Sequence, residues 1–197
     1  MKILDVGGGF HKYPGSKSID ANPLAGPDIL HNLNLYPWPI EDSEYDMIYT
    51  SHVLEHLDDP KRAVEEIWRV GKPNACVIIK VPHFSSRLAW TDIEHKRAFS
   101  INMLRTFTPA YDGLLPGSRV RFRIEKIKLR WQPRIDKELL PPYVRKYVPV
   151  INILNDTISF LANLNVDLCE RIWCYYVGGM GELEIKAVIL KQEEEKK

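Results

Sequence analysis

The stretch LDVGGGFHKYPGSKSIDANP, residues 4–23, decides how the chain is read. An apolar run over residues 2–7 meets three consecutive glycines, and a second short run, KSIDA, carries the acidic Asp20. Glycines directly after a strand allow a ligand or another segment to approach the backbone closely. The intervening FHKYPGSK has no room for a full helix and its return, and Pro14-Gly15 would break one.

Outward from this stretch, short apolar strands are expected at 17–21, 28–31 and 45–51, and a longer one at 75–82. YDMIYTS (45–51) is apolar on both faces, as a buried parallel strand requires. DDPKRAVEEIWRV predicts a helix with Asp58 or Asp59 as cap, Pro60 in the first turn, and Gly71 with Pro73 ending it. Strand, turn, strand, helix, strand in this order indicates an α/β class, an open sheet with parallel crossovers. Further on, the sequence predicts a polar and aromatic loop after Pro82, a short helix near 100–107, a strand over 119–131, a helix over 150–165 and a last strand over 182–191. The whole of 1–197 reads as one domain, with 132–180 an apolar excursion between the last two strands.

Bulk properties exclude several classes. At 197 residues, 45% hydrophobic and 27% charged, the chain suits one soluble domain with a real core. A net charge of +1 argues against a dedicated nucleic-acid binder. Cys76, Cys169 and Cys174 show neither tight pairing nor metal spacing, which fits a reducing, cytoplasmic location. No leader and no apolar run of membrane-spanning length is recognised. The charged tail KQEEEKK reads as solvated.

Ligands of open α/β sheets sit beyond the carboxyl ends of the strands. Asp5 with Gly7, Gly8 and Gly9, then Asp20, Asn32, Ser51 with His52, and His83 fall at five consecutive strand ends. A dinucleotide fingerprint would need glycine where Lys12 stands, and no Gly-Lys-Ser/Thr loop follows. A carboxylate ahead of the glycines repels a pyrophosphate but welcomes an ammonium group. With a second acid for ribose hydroxyls, this describes S-adenosylmethionine better than NAD.

LDVGGG, the acid of SIDANP, EYDMIYTSHVLEHLDDP and ACVIIKVP together resemble the successive motifs of class I S-adenosylmethionine-dependent methyltransferases, in the broad branch with HVLEHL after the fourth strand. The resemblance covers roughly residues 2–100, the final strand matches that family's antiparallel last strand, and the fold implied is a Rossmann-like, mostly parallel sheet with a shortened N-terminal half. It implies that Gly7 and Gly9 pass under the methionine part with Asp5 supporting the turn, and that Asp20 binds both ribose hydroxyls. It also implies Asn32 and Leu33 at the adenine and Ser51 and His52 near the sulfonium. The implied reaction is methyl transfer to oxygen or nitrogen of a small-molecule acceptor, with His95 or His83 as base and Asp92 as orienting partner. The alternatives from other classes are a non-catalytic cofactor-binding or scaffold protein on a degenerate fold, and an NAD-dependent oxidoreductase.

Three features have plainer readings. HVLEH also fits H-x-x-E-H, but that zinc motif needs a long helix, and LDDP leaves one turn at most. A looser set of His83, Asp92 and His95 lacks regular spacing, so no metal is assigned. The basic row within 119–146 reads as a solvated edge strand, against contact with an anionic or membrane surface. No nucleic-acid module is recognised. The apolar excursion is expected to serve core and lid, with a homodimer contact or a membrane surface as alternatives.

Overall fold

Apolar and polar positions sort into alternate rows across one sheet. The computed structural model of the chain describes residues 1–111, 114–115, 118–132 and 141–191. These residues form a seven-stranded sheet of order β3-β2-β1-β4-β5-β7-β6. The strands are β1 (Ile3–Val6), β2 (Lys17–Asp20), β3 (Ile29–Leu30), β4 (Tyr45–Ser51), β5 (Gly71–Pro82), β6 (Arg121–Arg130) and β7 (Glu182–Leu190). β1 to β5 pair in parallel, and β7 runs antiparallel between β5 and β6. The expected sheet is therefore the observed one.

Register divides its two faces. Leu4, Ile48, Val77, Ala187 and Ile124 form one continuous row, and Thr50, Ile79, Ile185 and Ile127 the next. This face is covered by α1 (Pro60–Val70), which buries Ala63, Val64, Ile67 and Val70. Asp59 caps that helix through the Arg62 N–H at 3.1 Å, with Pro60 in its first turn. The opposite face carries Asp5, Tyr49, Ile78 and Lys186 in one row and Ser51, Lys80, Glu184 and Lys128 in another. Lys80, Lys128 and Arg130 all lie within 3.7 Å of Glu184 oxygens. Two basic residues of β6, Lys128 and Arg130, are thus paired with acids on the sheet itself. Arg134 and Lys137, also in that basic row, lie outside the described residues.

No helix forms over 10–16, as the sequence predicted, and the link from β2 to β3 holds only a 3-10 turn, Pro23–Ala25. Loops replace the helices, so their polar backbone groups need other partners. Between β3 and β4 the partner is α1. Glu66 accepts the Trp38 N–H at 2.7 Å, and Arg69 donates to the carbonyls of Trp38 at 3.0 Å and Ile40 at 2.7 Å. The Arg69 fork also binds Glu66 at 2.7 Å, so one ion pair pins the whole loop.

β5 begins at Gly71, four residues before the expected start, because Gly71 already pairs with Tyr45 ahead of a bulge. Of the excursion, residues 133–140 lie outside the described set. The remainder holds α2's successors in the chain: with α2 at Leu88–Thr91, α3 is Pro142–Arg145 and α4 is Val148–Leu164, followed by helical turns to Tyr176. α4 lies along β6 and satisfies its free edge. The Asn163 amide donates to and accepts from Leu129 at 2.7 and 3.0 Å, and the Asn155 amide does the same with Gln132 at 2.9 and 3.1 Å. Two side-chain amides thus stand where a neighbouring strand would be. Among the described residues no helix is long and apolar enough to cross a membrane.

Replacing Arg69 by Met should leave Glu66 without its cation and two loop carbonyls without their donor, and cost about 3 kcal/mol. Urea denaturation reads this as a lower midpoint at unchanged slope. An unaltered midpoint would show that the loop is held by other contacts.

Candidate functional site

The C-terminal edge of the parallel strands brings the expected residues together beside the β1–β4 boundary, where the strand order reverses. Gly7, at φ +72°, donates its N–H to the Ile19 carbonyl at 2.8 Å. A Cβ there would stand 2.2 Å from Val53 Cγ2, so the turn packs directly on the segment after β4. Gly9, at φ +49°, differs, because no atom lies within 4 Å of where its Cβ would be. Space is left in front of this glycine rather than filled behind it.

Two carboxylates shape the turn. Asp5 is 1% exposed and accepts the Tyr13 N–H at 2.7 Å. Burial pushes its pKa up, opposed by that hydrogen bond. Buried in this way, Asp5 supports the turn and does not offer its charge to an ammonium group, which corrects half of its expected role. Asp20 accepts the Gly9 N–H at 2.9 Å on one oxygen and the Asn22 N–H at 2.8 Å on the other. Each oxygen keeps a lone pair, and the residue stays half-exposed. Tyr13 returns over the polar face of the sheet, its ring 4.7 Å from that of Tyr49. Lys12, which breaks the dinucleotide spacing, donates to the Gly26 carbonyl at 2.5 Å and ties the loop to the β2–β3 link.

Asn32 is exposed and near this edge, but its side chain accepts the Asn34 N–H at 3.0 Å. The Leu33 side chain is buried and its carbonyl accepts the Trp38 indole N–H at 3.2 Å. It belongs to the core and not to an adenine-stacking surface. Ser51 ends β4 half-exposed, and His52 follows at φ +55°. His52 lies 3.2 Å from Glu182 and 3.2 Å from Glu55 through its two ring nitrogens. The bond to Glu182, then that to Glu55, raises its pKa to about 9, so it is a cation at neutral pH.

The expected catalytic residues separate. His83 is fully buried, with Nδ1 2.7 Å from Ser85 Oγ and Nε2 2.9 Å from Glu170. Glu170 also accepts the Ile101 N–H at 2.7 Å. His83 therefore bolts the excursion to the loop after β5, and no acceptor can reach it there. His95 has Nδ1 3.4 Å from the Ala89 carbonyl, a contact that suits the tautomer with its proton on Nδ1. Its Nε2 lies 3.7 Å from Asp92 and 4.0 Å from Glu55. The pairing of His95 with Asp92 that the sequence suggested is thus present, loosely.

Sequence reasoning passed over Glu170 and Glu182 as partners, since nothing local marks either. Glu55 did stand inside a recognised motif, yet its complete burial was not legible there.

The comparisons join this geometry. A family model described as a methyltransferase domain matches residues 18–79. A structure of an S-adenosylmethionine-dependent methyltransferase from Archaeoglobus fulgidus superposes with TM-score 0.52 at 18% identity, covering 95% of this chain and 85% of that one. The fold is that of the S-adenosylmethionine-dependent methyltransferases. The YcgJ protein of Bacillus subtilis superposes with TM-score 0.56 at 15% identity, covering 97% of this chain and 92% of that one. The [4+2]-cyclase SpnF superposes equally well at 0.56, with 15% identity and 97% and 76% coverage, so this fold alone does not name a reaction. An uncharacterised transposon protein of Streptomyces fradiae is 31% identical over 68 residues, 34% of this chain. The match spans about one fifth of that relative's length.

Glu170→Ala should cost about 3 kcal/mol at neutral pH by stranding His83 and the Ile101 N–H. Burial pushes the Glu170 carboxyl up, but the His83 and Ile101 bonds outweigh it and hold the pKa below its ordinary 4.5. Its contribution is therefore complete above that value and lost as pH falls through the depressed one. Urea midpoints of the two proteins should converge in acid, and a constant gap would contradict this account.

Proposed function

We propose that the chain is an S-adenosylmethionine-dependent methyltransferase acting on an oxygen or nitrogen of a small-molecule acceptor. The observation that carries the reading is Asp20, a half-exposed carboxylate with free lone pairs beside the open side of Gly9. Ribose hydroxyls are its natural donors, and a charged acceptor strengthens such bonds. The fit extends to the glycine turn, which buried Asp5 holds in shape, and to Ser51 at the adjacent strand end. When bound, the cofactor supplies an electrophilic methyl group on a sulfonium.

Around it, the chain's residues position and deprotonate. His52, already an imidazolium, is no base; it is fixed by Glu55 and Glu182. His95 carries a free Nε2 lone pair and takes the acceptor's proton, with Asp92 stabilising the imidazolium. Placement supplies most of the acceleration in methyl transfer. The second reading, a cofactor-binding protein without turnover, is favoured by one feature: residues 10–16 form no helix to back the glycine turn.

Isothermal titration with S-adenosylhomocysteine should give saturable binding, weakened by about 1–3 kcal/mol in Asp20→Ala. Unchanged affinity removes Asp20 from the ribose role, and tight NADH binding without S-adenosylhomocysteine binding overturns the reading. Binding with no turnover across acceptor classes favours the second reading.

A further inference from the structure

Glu55 is completely buried, and its Oε2 has no hydrogen-bond partner, while Oε1 faces His52. A carboxylate oxygen left in this state is costly, and buried charges are as a rule paired or bound to metal. Two imidazoles stand beside this carboxylate, His95 Nε2 lying 4.0 Å from its Oε1. His56 follows Glu55 in the same 3-10 turn (Leu54–His56), and His95 comes from the loop after α2, the two rings edge to face with centroids 4.6 Å apart. One donor atom from each of Glu55, His56 and His95 lies within 4.8 Å of the other two.

We propose that Glu55, His56 and His95 bind a divalent transition-metal ion of the zinc class. Two imidazoles and one carboxylate are a recurrent zinc donor set, leaving a fourth position open. Donors about 2 Å from a tetrahedral ion stand about 3.3 Å apart, so side-chain rotations of about 1 Å close the site. The outer contacts already suit this. A proton on His95 Nδ1, facing the Ala89 carbonyl at 3.4 Å, leaves the Nε2 lone pair toward Glu55 Oε1 at 4.0 Å. His52 Nδ1, 3.2 Å from Glu55 Oε1, orients the carboxylate. Asp92, with Oδ2 3.7 Å from His95 Nε2 and half its side chain exposed, stands at the solvent side. A cleft lined by His56, Ile93, Glu94 and Lys96 gives access.

This is not the H-x-x-E-H arrangement. His52 points to Glu182 instead, and the third donor arrives from across the fold. The inference goes beyond the methyl-transfer reading and does not rest on it. With an ion on His95 Nε2, the proton-accepting role in that reading passes to Asp92.

The full chain, stripped with chelator and dialysed against zinc, should retain one equivalent by elemental analysis. Cobalt(II) should give the visible bands of a tetrahedral site. His95→Ala and His56→Gln, each checked by circular dichroism for folding, should lower zinc affinity at least tenfold and abolish those bands, while Asp20→Ala retains both. Absence of zinc at 100 μM free metal, to order of magnitude a weak-site ceiling, would overturn the proposal. So would equal zinc binding by folded His95→Ala and His56→Gln. S-adenosylhomocysteine titration is read separately, so loss of cofactor binding leaves the metal result standing.

Discussion

A carboxylate accepting a backbone N–H is the interaction on which the N-terminal half depends. Three parallel strands are joined there by loops, and a loop packed against a sheet must satisfy its own amides. Asp5 does so for Tyr13, Asp20 for Gly9 and Asn22, Asp28 for Ser18 and Glu66 for Trp38. Each bond is charge-assisted and therefore stronger than a neutral one. Arg69 completes the last of these by neutralising Glu66 while donating to carbonyls of the same loop.

The same chemistry shapes the site. Asp20 both holds Gly9 and keeps lone pairs toward the open space, so the geometry of the turn and its capacity to bind are linked. His52 is a fixed cation between Glu55 and Glu182. The C-terminal excursion reaches this edge through Glu170, which locks His83, and through the Met180 N–H on Ser85 Oγ at 3.1 Å. Its helix α4 meanwhile covers the free edge of β6 with two asparagines. Core and edge cover are thus visible roles of the excursion, while many of its apolar side chains, Ile153, Phe160 and Leu164 among them, remain exposed.

Local pattern was enough for the strands, for α1 and for the missing helix after the glycines, because each rests on residues close in sequence. It was also enough for Asp20, since a strand end followed by a short loop fixes where that acid stands. It misjudged Leu33, whose burial under Trp38 depends on a loop pinned by α1. His83 looked like an accessible base because its cover, Glu170, lies far along the chain. Asp5 appeared charged and available, and only the fold of 10–16 shows it enclosed.

By itself, then, the sequence determined the parallel sheet, the glycine turn and the acidic residue facing it, since alternation, turn chemistry and strand-end position are local properties. Tertiary structure alone decided which histidines are buried, which is a cation and which stand beside a buried carboxylate with one oxygen unpartnered. Those outcomes depend on burial and on partners many residues distant, and neither is encoded in the spacing of neighbours.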